Sequence, residues 1–457
     1  MSRFRIWLSL PGLMVLGSIF LFSCTTARKS AAPVLGGTLQ DSIFTHAHLG
    51  FALYDPATGR MLQEYQSDKY FIPASNVKII SCFAGMQSLG PRINGLEWID
   101  LDTALLLFPT GDPTLLHPDF ARQPVADFIR ASGKPLYVST QDWSAEPWGS
   151  GWSWDDYSED YMAERSALPV FGNIIRWYQS SSRKENPSTP ADTLDVFVYS
   201  DPDIDWPVEF APPQPAAGFQ VTRSMRENRF TVREGREAEA QRDVPFITHG
   251  VASALKLLRD SLHADLRAID PQQASQLSAG RKRNILYSQP LDSMLRPMMH
   301  RSDNFYAEQT LLMAGYARNG KLDDRQAINQ QLTTTLKGLP HAPRWADGSG
   351  LSRYNLFTPA DFTWVLDQMQ RTYGMERLQV LFPGSGSGTL SSFLADRPGH
   401  VYAKTGTLSG VVALSGYVRV RSGKWLIFSI LVNNHRVTAR AVRQQMEKIL
   451  RAVIDQY

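Results

Sequence analysis

The chain is 457 residues long, 43% apolar and 20% charged, a folded-protein composition at a length beyond one simple core. Its formal charge of +3 includes Arg3 and Arg5 near the N-terminus, which leaves too little for a nucleic-acid footprint and excludes nucleic acid as an expected partner. The 9 His and 2 Cys form no HExxH pair and no Cys/His cluster, so no metal and no other cofactor is expected.

Residues 1–24 join a basic start to an apolar stretch from Ile6 to Phe22, followed by Leu21-Phe22-Ser23-Cys24 and polar Thr25-Thr26. This order predicts an export signal. The small residue before Cys24 argues for cleavage over an uncut transmembrane anchor, and the tetrad resembles a bacterial lipobox, in which the cysteine becomes the lipidated first residue. Cys24 is therefore the expected lipidation site, anchoring the chain to a membrane in the cell envelope, periplasm included. Cys82 is then alone, with no disulfide available, and in its apolar run it reads as a small buried hydrophobe.

From Leu49 to Leu53 the pattern predicts a strand, Asp55-Pro56-Ala57-Thr58-Gly59 a turn, and Arg60 to Tyr65 a second strand. Pro73 marks a helix start, and Ser75 through Leu89 carries a helical apolar pattern ending at Gly90-Pro91. From about Asn94 to Val244 the texture changes to short alternating segments, among them Thr103 to Leu107 and Thr193 to Tyr199, which predicts an inserted, strand-rich region. Its segment from Trp143 to Tyr157 holds Trp143, Trp148, Trp152 and Trp154, read as core or domain interface rather than a carbohydrate-stacking surface. Ser181 to Thr189 reads as a polar loop, and Arg281-Lys282-Arg283 as a solvated one. Helical periodicity returns at His249 to Leu262, Leu291 to Met299 and Phe305 to Tyr316. Strands are predicted from Val411 to Val420 and Trp425 to Val432, and a final amphipathic helix from Val437 to Ile454. The expected class is α/β (α+β), an antiparallel sheet flanked by helices and interrupted by a large β-rich insertion. The expected organisation is a signal at 1–24, one domain split between 25–93 and 245–457, and an insertion at 94–244.

Three short motifs follow in order: Ser75-Asn76-Val77-Lys78, Ser302-Asp303-Asn304 and Lys404-Thr405-Gly406. Each alone is weak, and Ser181-Ser182-Arg183-Lys184 is a second match to the first, placed in the polar loop. Mechanism selects Ser75, because a serine nucleophile needs a base at hydrogen-bond range and i, i+3 positions on a helix share a face, which puts Lys78 beside it. Lys78 acts as base only if desolvation or nearby positive charge lowers its pKa, and Lys404 can supply that charge. The helix N-terminus favours negative charge developing on Ser75. Ser302 and Asn304 alternate on one side of a turn, Ser302 placed to relay a proton to a leaving amine and Asn304 to orient Lys78 and a substrate amide. Lys404, Thr405 and Thr407 can hold a substrate carboxylate, Gly406 admits a substrate backbone, and the N–H groups of Ser75 and Thr407 form an oxyanion hole.

The trio resembles the signature of penicillin-binding proteins and class A β-lactamases. With Asp347-Gly348-Ser349-Gly350-Leu351-Ser352-Arg353-Tyr354-Asn355, Ala403 through Gly410, Gly111-Asp112-Pro113-Thr114-Leu115 and Gly151-Trp152-Ser153-Trp154-Asp155-Asp156, the sequence is similar to the D-alanyl-D-alanine carboxypeptidase/endopeptidase family, the class C low-molecular-mass penicillin-binding proteins. The 227 positions from Ser75 to Ser302 exceed the class A β-lactamase spacing. The resemblance implies a transpeptidase/β-lactamase-like domain with inserted β-rich domains, and peptidoglycan and β-lactam antibiotics as partners. It also implies acylation of Ser75 by the penultimate D-Ala carbonyl and hydrolysis of the acyl-enzyme. Arg353 is a candidate contact for a side-chain carboxylate of the stem peptide. The family's inserted-domain acid for a side-chain amine has its expected place near Tyr137-Val138-Ser139-Thr140, which holds no acid; Asp142 follows. Two alternatives stay open at this level, a β-lactamase and a catalytically silent peptidoglycan-binding lipoprotein.

Overall fold

The computed structural model describes residues 32–37, 41–183, 194–213 and 218–457. The leader with Cys24, and Lys184 of the second SxxK match, lie outside the described residues. Strands β1 (His48–Asp55) and β2 (Arg60–Tyr65) form the expected hairpin. Its turn is set by Asp55, whose Oδ1 accepts from Ala57 N at 2.9 Å, and by Gly59 at φ +68°. After Pro73 a 3₁₀ turn over Ala74–Asn76 leads into helix α1 (Val77–Ser88). Every residue from Val77 to Met86 is buried, so α1 is a core helix. Cys82 lies inside it, its thiol pushed up to about 12 by burial, which fits the inert reading.

The insertion then builds three sheets. Strands β3 (Arg92–Asp100), β4 (Leu105–Pro109) and β5 (Leu136–Ser139) are followed by β6 (Ile174–Arg183), β7 (Leu194–Asp201), β8 (Val208–Phe210), β9 (Gln220–Arg223), β10 (Phe230–Arg233), β11 (Glu239–Pro245), β12 (Leu266–Ile269) and β13 (Asn284–Pro290). They associate as β12-β5-β4-β3-β13, β11-β6-β7 and β8-β10-β9. The first of these sheets therefore runs from Arg92 to Pro290, past the 94–244 span read from texture. The helix Ala252–Leu262 belongs with it, because Leu255, Leu257 and Leu258 share a buried cluster with Leu96 and Leu107. Ser181 to Arg183 are strand rather than loop, paired along β7. Arg283 is not a solvated charge either: it bonds Asp142 at 2.7 Å and Glu97 at 3.2 Å, over the ring of Phe108.

Helices α2 (Leu291–His300), α3 (Asn304–Asn319) and α4 (Pro359–Leu381) return the chain to α1, and then β14 (Val401–Leu408), β15 (Val411–Arg419), β16 (Trp425–Asn433) and α5 (Ala439–Gln456) complete it. The main sheet is antiparallel in the order β14-β15-β16-β1-β2, so the segments before and after the insertion build one sheet. One face packs on α1 to α4 through residues such as Phe83, Leu311, Phe362 and Tyr417. The other is covered by α5 through Val442, Met446, Ile449 and Val453. Strand β14 lies at the edge of the sheet, and the start of its outer side is met by the Gly384–Tyr402 bridge. No helix among the described residues is long and apolar enough to cross a membrane.

Candidate active site

Ser75 sits in the 3₁₀ turn two residues before α1 and not within regular α-helix. The turn stays close enough to helical geometry for the i, i+3 relation to hold, and Lys78 Nζ lies 2.9 Å from Ser75 Oγ. The ammonium is fully buried and makes two more bonds, to Asn304 Oδ1 at 2.6 Å and to the carbonyl of Ser349 at 2.8 Å. Burial lowers the Lys78 pKa to about 8, against the opposing pull of Asp347, Asp303 and Glu308. At neutral pH about one lysine in ten is then unprotonated and able to accept the serine proton.

Lys404 lies on β14, also fully buried, and donates to Ser302 Oγ and to the Thr405 carbonyl, both at 2.8 Å. Burial holds its pKa well below the usual lysine range, helped by the charges of Lys78 and Arg443. Desolvation is thus the first influence on both lysines, and charge on either one disfavours charge on the other. Ser302 reaches Lys404 from a left-handed backbone at φ +65°, just before Asp303 caps α3 through Tyr306 N at 2.9 Å. Strain of this kind persists where surrounding structure fixes it. Asn304 Nδ2 donates to the Tyr161 carbonyl at 3.1 Å, so the insertion occupies the end expected to face a substrate amide.

The motif strand and the nucleophile turn are stitched together. The Asn76 amide, in the orientation that satisfies both its ends, donates to the Lys404 carbonyl at 2.7 Å and accepts from Ser415 Oγ at 2.8 Å. At Gly406 a Cβ would stand 2.8 Å from the Pro73 carbonyl and 3.0 Å from Ser75 N, so only glycine lets β14 approach this closely. Thr405 and Thr407 fall on the opposite side of the strand from Lys404 and Gly406. Thr407 Oγ1 accepts from Arg443 of α5 at 2.6 Å. With Lys404 buried and bonded, Arg443 is an exposed cation at this end, a residue that no motif announces because only the fold brings α5 to β14.

A second layer positions Lys78. Asp347 Oδ1 accepts from Gly350 N at 2.8 Å and Asn355 Nδ2 at 2.7 Å, and its Oδ2 accepts from Ser352 N at 2.6 Å and Trp152 Nε1 at 2.9 Å. Glu308 Oε1 accepts from Ser349 N at 2.7 Å, and its other oxygen faces Arg165 of the insertion at 3.4 Å. Arg165 is itself 1% exposed and also bonds Asp324 at 2.9 Å. Burial and the Asp347 charge raise the Glu308 pKa. Leaving such a buried pair half-broken costs about 3–5 kcal/mol. Trp152 is thus tied to the Asp347 segment by its indole N–H, while Trp154 is exposed.

Arg353 is exposed on the same segment and donates to the Ser409 carbonyl at 2.9 Å, beside the end of β14. Asp142 does not join it, being held by Arg283 in a cavity of ≈ 850 Å³ lined by no motif residue. Next to Ser302, Asp303 and Asn304 lies a cavity of ≈ 440 Å³, shared with Asp160, Tyr161 and Arg176. Among the described residues no group of three or more His, Cys, Asp or Glu is placed to hold a metal ion. The arrangement can activate a serine, relay a proton through a second hydroxyl and hold an anion at one end.

Sequence comparison agrees with this chemistry. Over 476 residues the chain is 24% identical to the D-alanyl-D-alanine carboxypeptidase DacB of Haemophilus influenzae, covering 95% of this chain and 96% of that one. It is 26% identical over 437 residues to the D-alanyl-D-alanine carboxypeptidase of Actinomadura sp. (strain R39), covering 87% and 80%. The crystal structure of penicillin binding protein 4 from H. influenzae superposes with a TM-score of 0.70 at 20% identity, over 93% of this chain and 98% of that one, and has the same fold. The family model for the D-Ala-D-Ala carboxypeptidase 3 (S13) family matches residues 34–453, and the chain belongs to that family.

Proposed function

We propose that the chain is a serine D-Ala-D-Ala carboxypeptidase and D,D-endopeptidase of peptidoglycan, with Ser75 as nucleophile and Lys78 as its base. The observation that carries this is the fully buried lysine, its pKa depressed to about 8, at 2.9 Å from Ser75 Oγ. Ser75 Oγ bonds to the penultimate D-Ala carbonyl carbon while its proton passes to Lys78. The oxyanion rests on the N–H groups of Ser75 and Thr407. The carbon–nitrogen bond breaks as Ser302 passes a proton to the leaving amine, and Asn304 and Lys404 hold Lys78 and Ser302 in line. Water then hydrolyses the ester. The terminal carboxylate lies against Thr405 and Thr407 with Arg443 as the facing cation, Gly406 admits the substrate backbone, and Arg353 faces the stem-peptide side chain. β-Lactams trap the same ester. The test is D-alanine release from a pentapeptide stem by the full-length protein in detergent; release that persists in Ser75→Ala refutes the assignment.

We infer further that residues 1–24 direct export and that Cys24 anchors the chain by lipid in the periplasm. The support is the basic, apolar and Leu-Phe-Ser-Cys order. Palmitate label should enter the wild type and be absent from Cys24→Ser; equal labelling of both contradicts the anchor.

A further inference from the structure

We propose that a cavity beside Thr405 binds the second stem peptide of a cross-link and takes its carboxylates at Arg440 and Arg443; this rests on the reading of Ser75 above. A terminal D-alanine leaves with a methyl side chain, whereas the amino acid released from a cross-link has a side chain that continues into another peptide. An enzyme that opens cross-links therefore needs room beyond the leaving group's carboxylate. The structure has it: ≈ 480 Å³ between residues 389–393 and the first turns of α5, lined by Thr405, Phe393, Arg440, Arg443 and Gln444. That volume is within the range of specific ligand sites.

The position follows from strand alternation. Thr405 pairs with Leu414, and both face α5, on the opposite side of β14 from Lys404. The cavity thus begins where the terminal carboxylate is held and leads away from Ser75. Phe393, Leu414 and Met446 give it an apolar floor for a methylene chain, and the rim is cationic. The one carboxylate in the lining, Glu447, is already paired with Arg451 at 2.7 Å, which leaves Arg440 and Arg443 to face an anion. A second stem peptide supplies that anion through its free carboxylates.

The test compares two substrates with the full-length protein in detergent: D-alanine release from a monomeric pentapeptide stem, and cleavage of a purified cross-linked dimer. Arg440→Glu should raise KM for the dimer about tenfold while changing D-alanine release less than about twofold. The difference should vanish on a dimer whose acceptor carboxylates are amidated. Equal loss on both substrates, no loss on the dimer, or an effect that survives amidation overturns the proposal. If the wild type itself releases no D-alanine, the failure belongs to the assignment of Ser75 instead.

Discussion

Lys78→Met is expected to slow acylation of Ser75 by about 10²- to 10⁴-fold, the range that a positioned general base contributes. Methionine keeps the buried stem while removing the amine that bonds Ser75 Oγ. It also leaves Asn304 Oδ1 and the Ser349 carbonyl without their donor, so some stability is lost, about 1–3 kcal/mol for each buried acceptor left unsatisfied. Circular dichroism separates that loss from the chemical one. The wild-type acylation rate should rise with pH through the Lys78 pKa of about 8, roughly tenfold per unit below it, because only neutral lysine accepts the proton. Glu308 raises that pKa by its charge, so Glu308→Gln should move the rising limb to lower pH. A limb that stays in place in Glu308→Gln, or acylation that is unchanged in Lys78→Met, contradicts the assignment.

The second large effect is expected at Gly350. Its φ is +84°, and a Cβ there would overlap the carbonyl oxygen of Ala74 and stand 3.1 Å from Ser75 N. The glycine cannot retreat, because Asp347 holds its N–H and Glu308 holds the preceding amide. Nor does Ala74 yield easily, being a non-glycine residue already at φ +47°. Gly350→Ala should therefore displace the nucleophile turn. The expected cost is about 2–4 kcal/mol in stability from strain and overpacking, with acylation slowed at least about 100-fold as Ser75 moves from Lys78. Urea unfolding and β-lactam acylation kinetics measure the two separately, and a variant within twofold of wild type in acylation would show that this contact does not place Ser75.

These two predictions differ in how far the sequence alone announces them. Ser75 and Lys78 are legible because a proton transfer demands a spacing of three on a helix, and the 3₁₀ turn preserves it. Ser302, Asn304 and Lys404 are legible as short patterns at a turn and a strand. Asp347 stands in a segment that the resemblance marks, but its role, like those of Glu308 and Arg165, is not legible, since their work is done by burial and by contacts across 143 to 195 positions. Arg443 is likewise one arginine among several on an amphipathic helix until α5 is seen against β14. The helix Pro359–Leu381 escapes the apolar pattern because Gly374, at φ +73°, interrupts its periodicity. Its start is nonetheless written in the sequence, as Thr358 and Asp361 form a capping box around Pro359. The far edge of the insertion is hidden for a related reason. A helix such as Ala252–Leu262 shows which of its faces is buried and never which sheet buries it.

The central claim, that Ser75 is acylated through Lys78, is tested most directly by intact-protein mass spectrometry of the full-length protein after brief exposure to benzylpenicillin. One stable adduct mapped to the Ser75 peptide, absent from Ser75→Ala and strongly slowed in Lys78→Met, is the predicted result. No adduct with intact drug would contradict it in favour of a silent binding protein, and no adduct with hydrolysed drug would contradict it in favour of a β-lactamase.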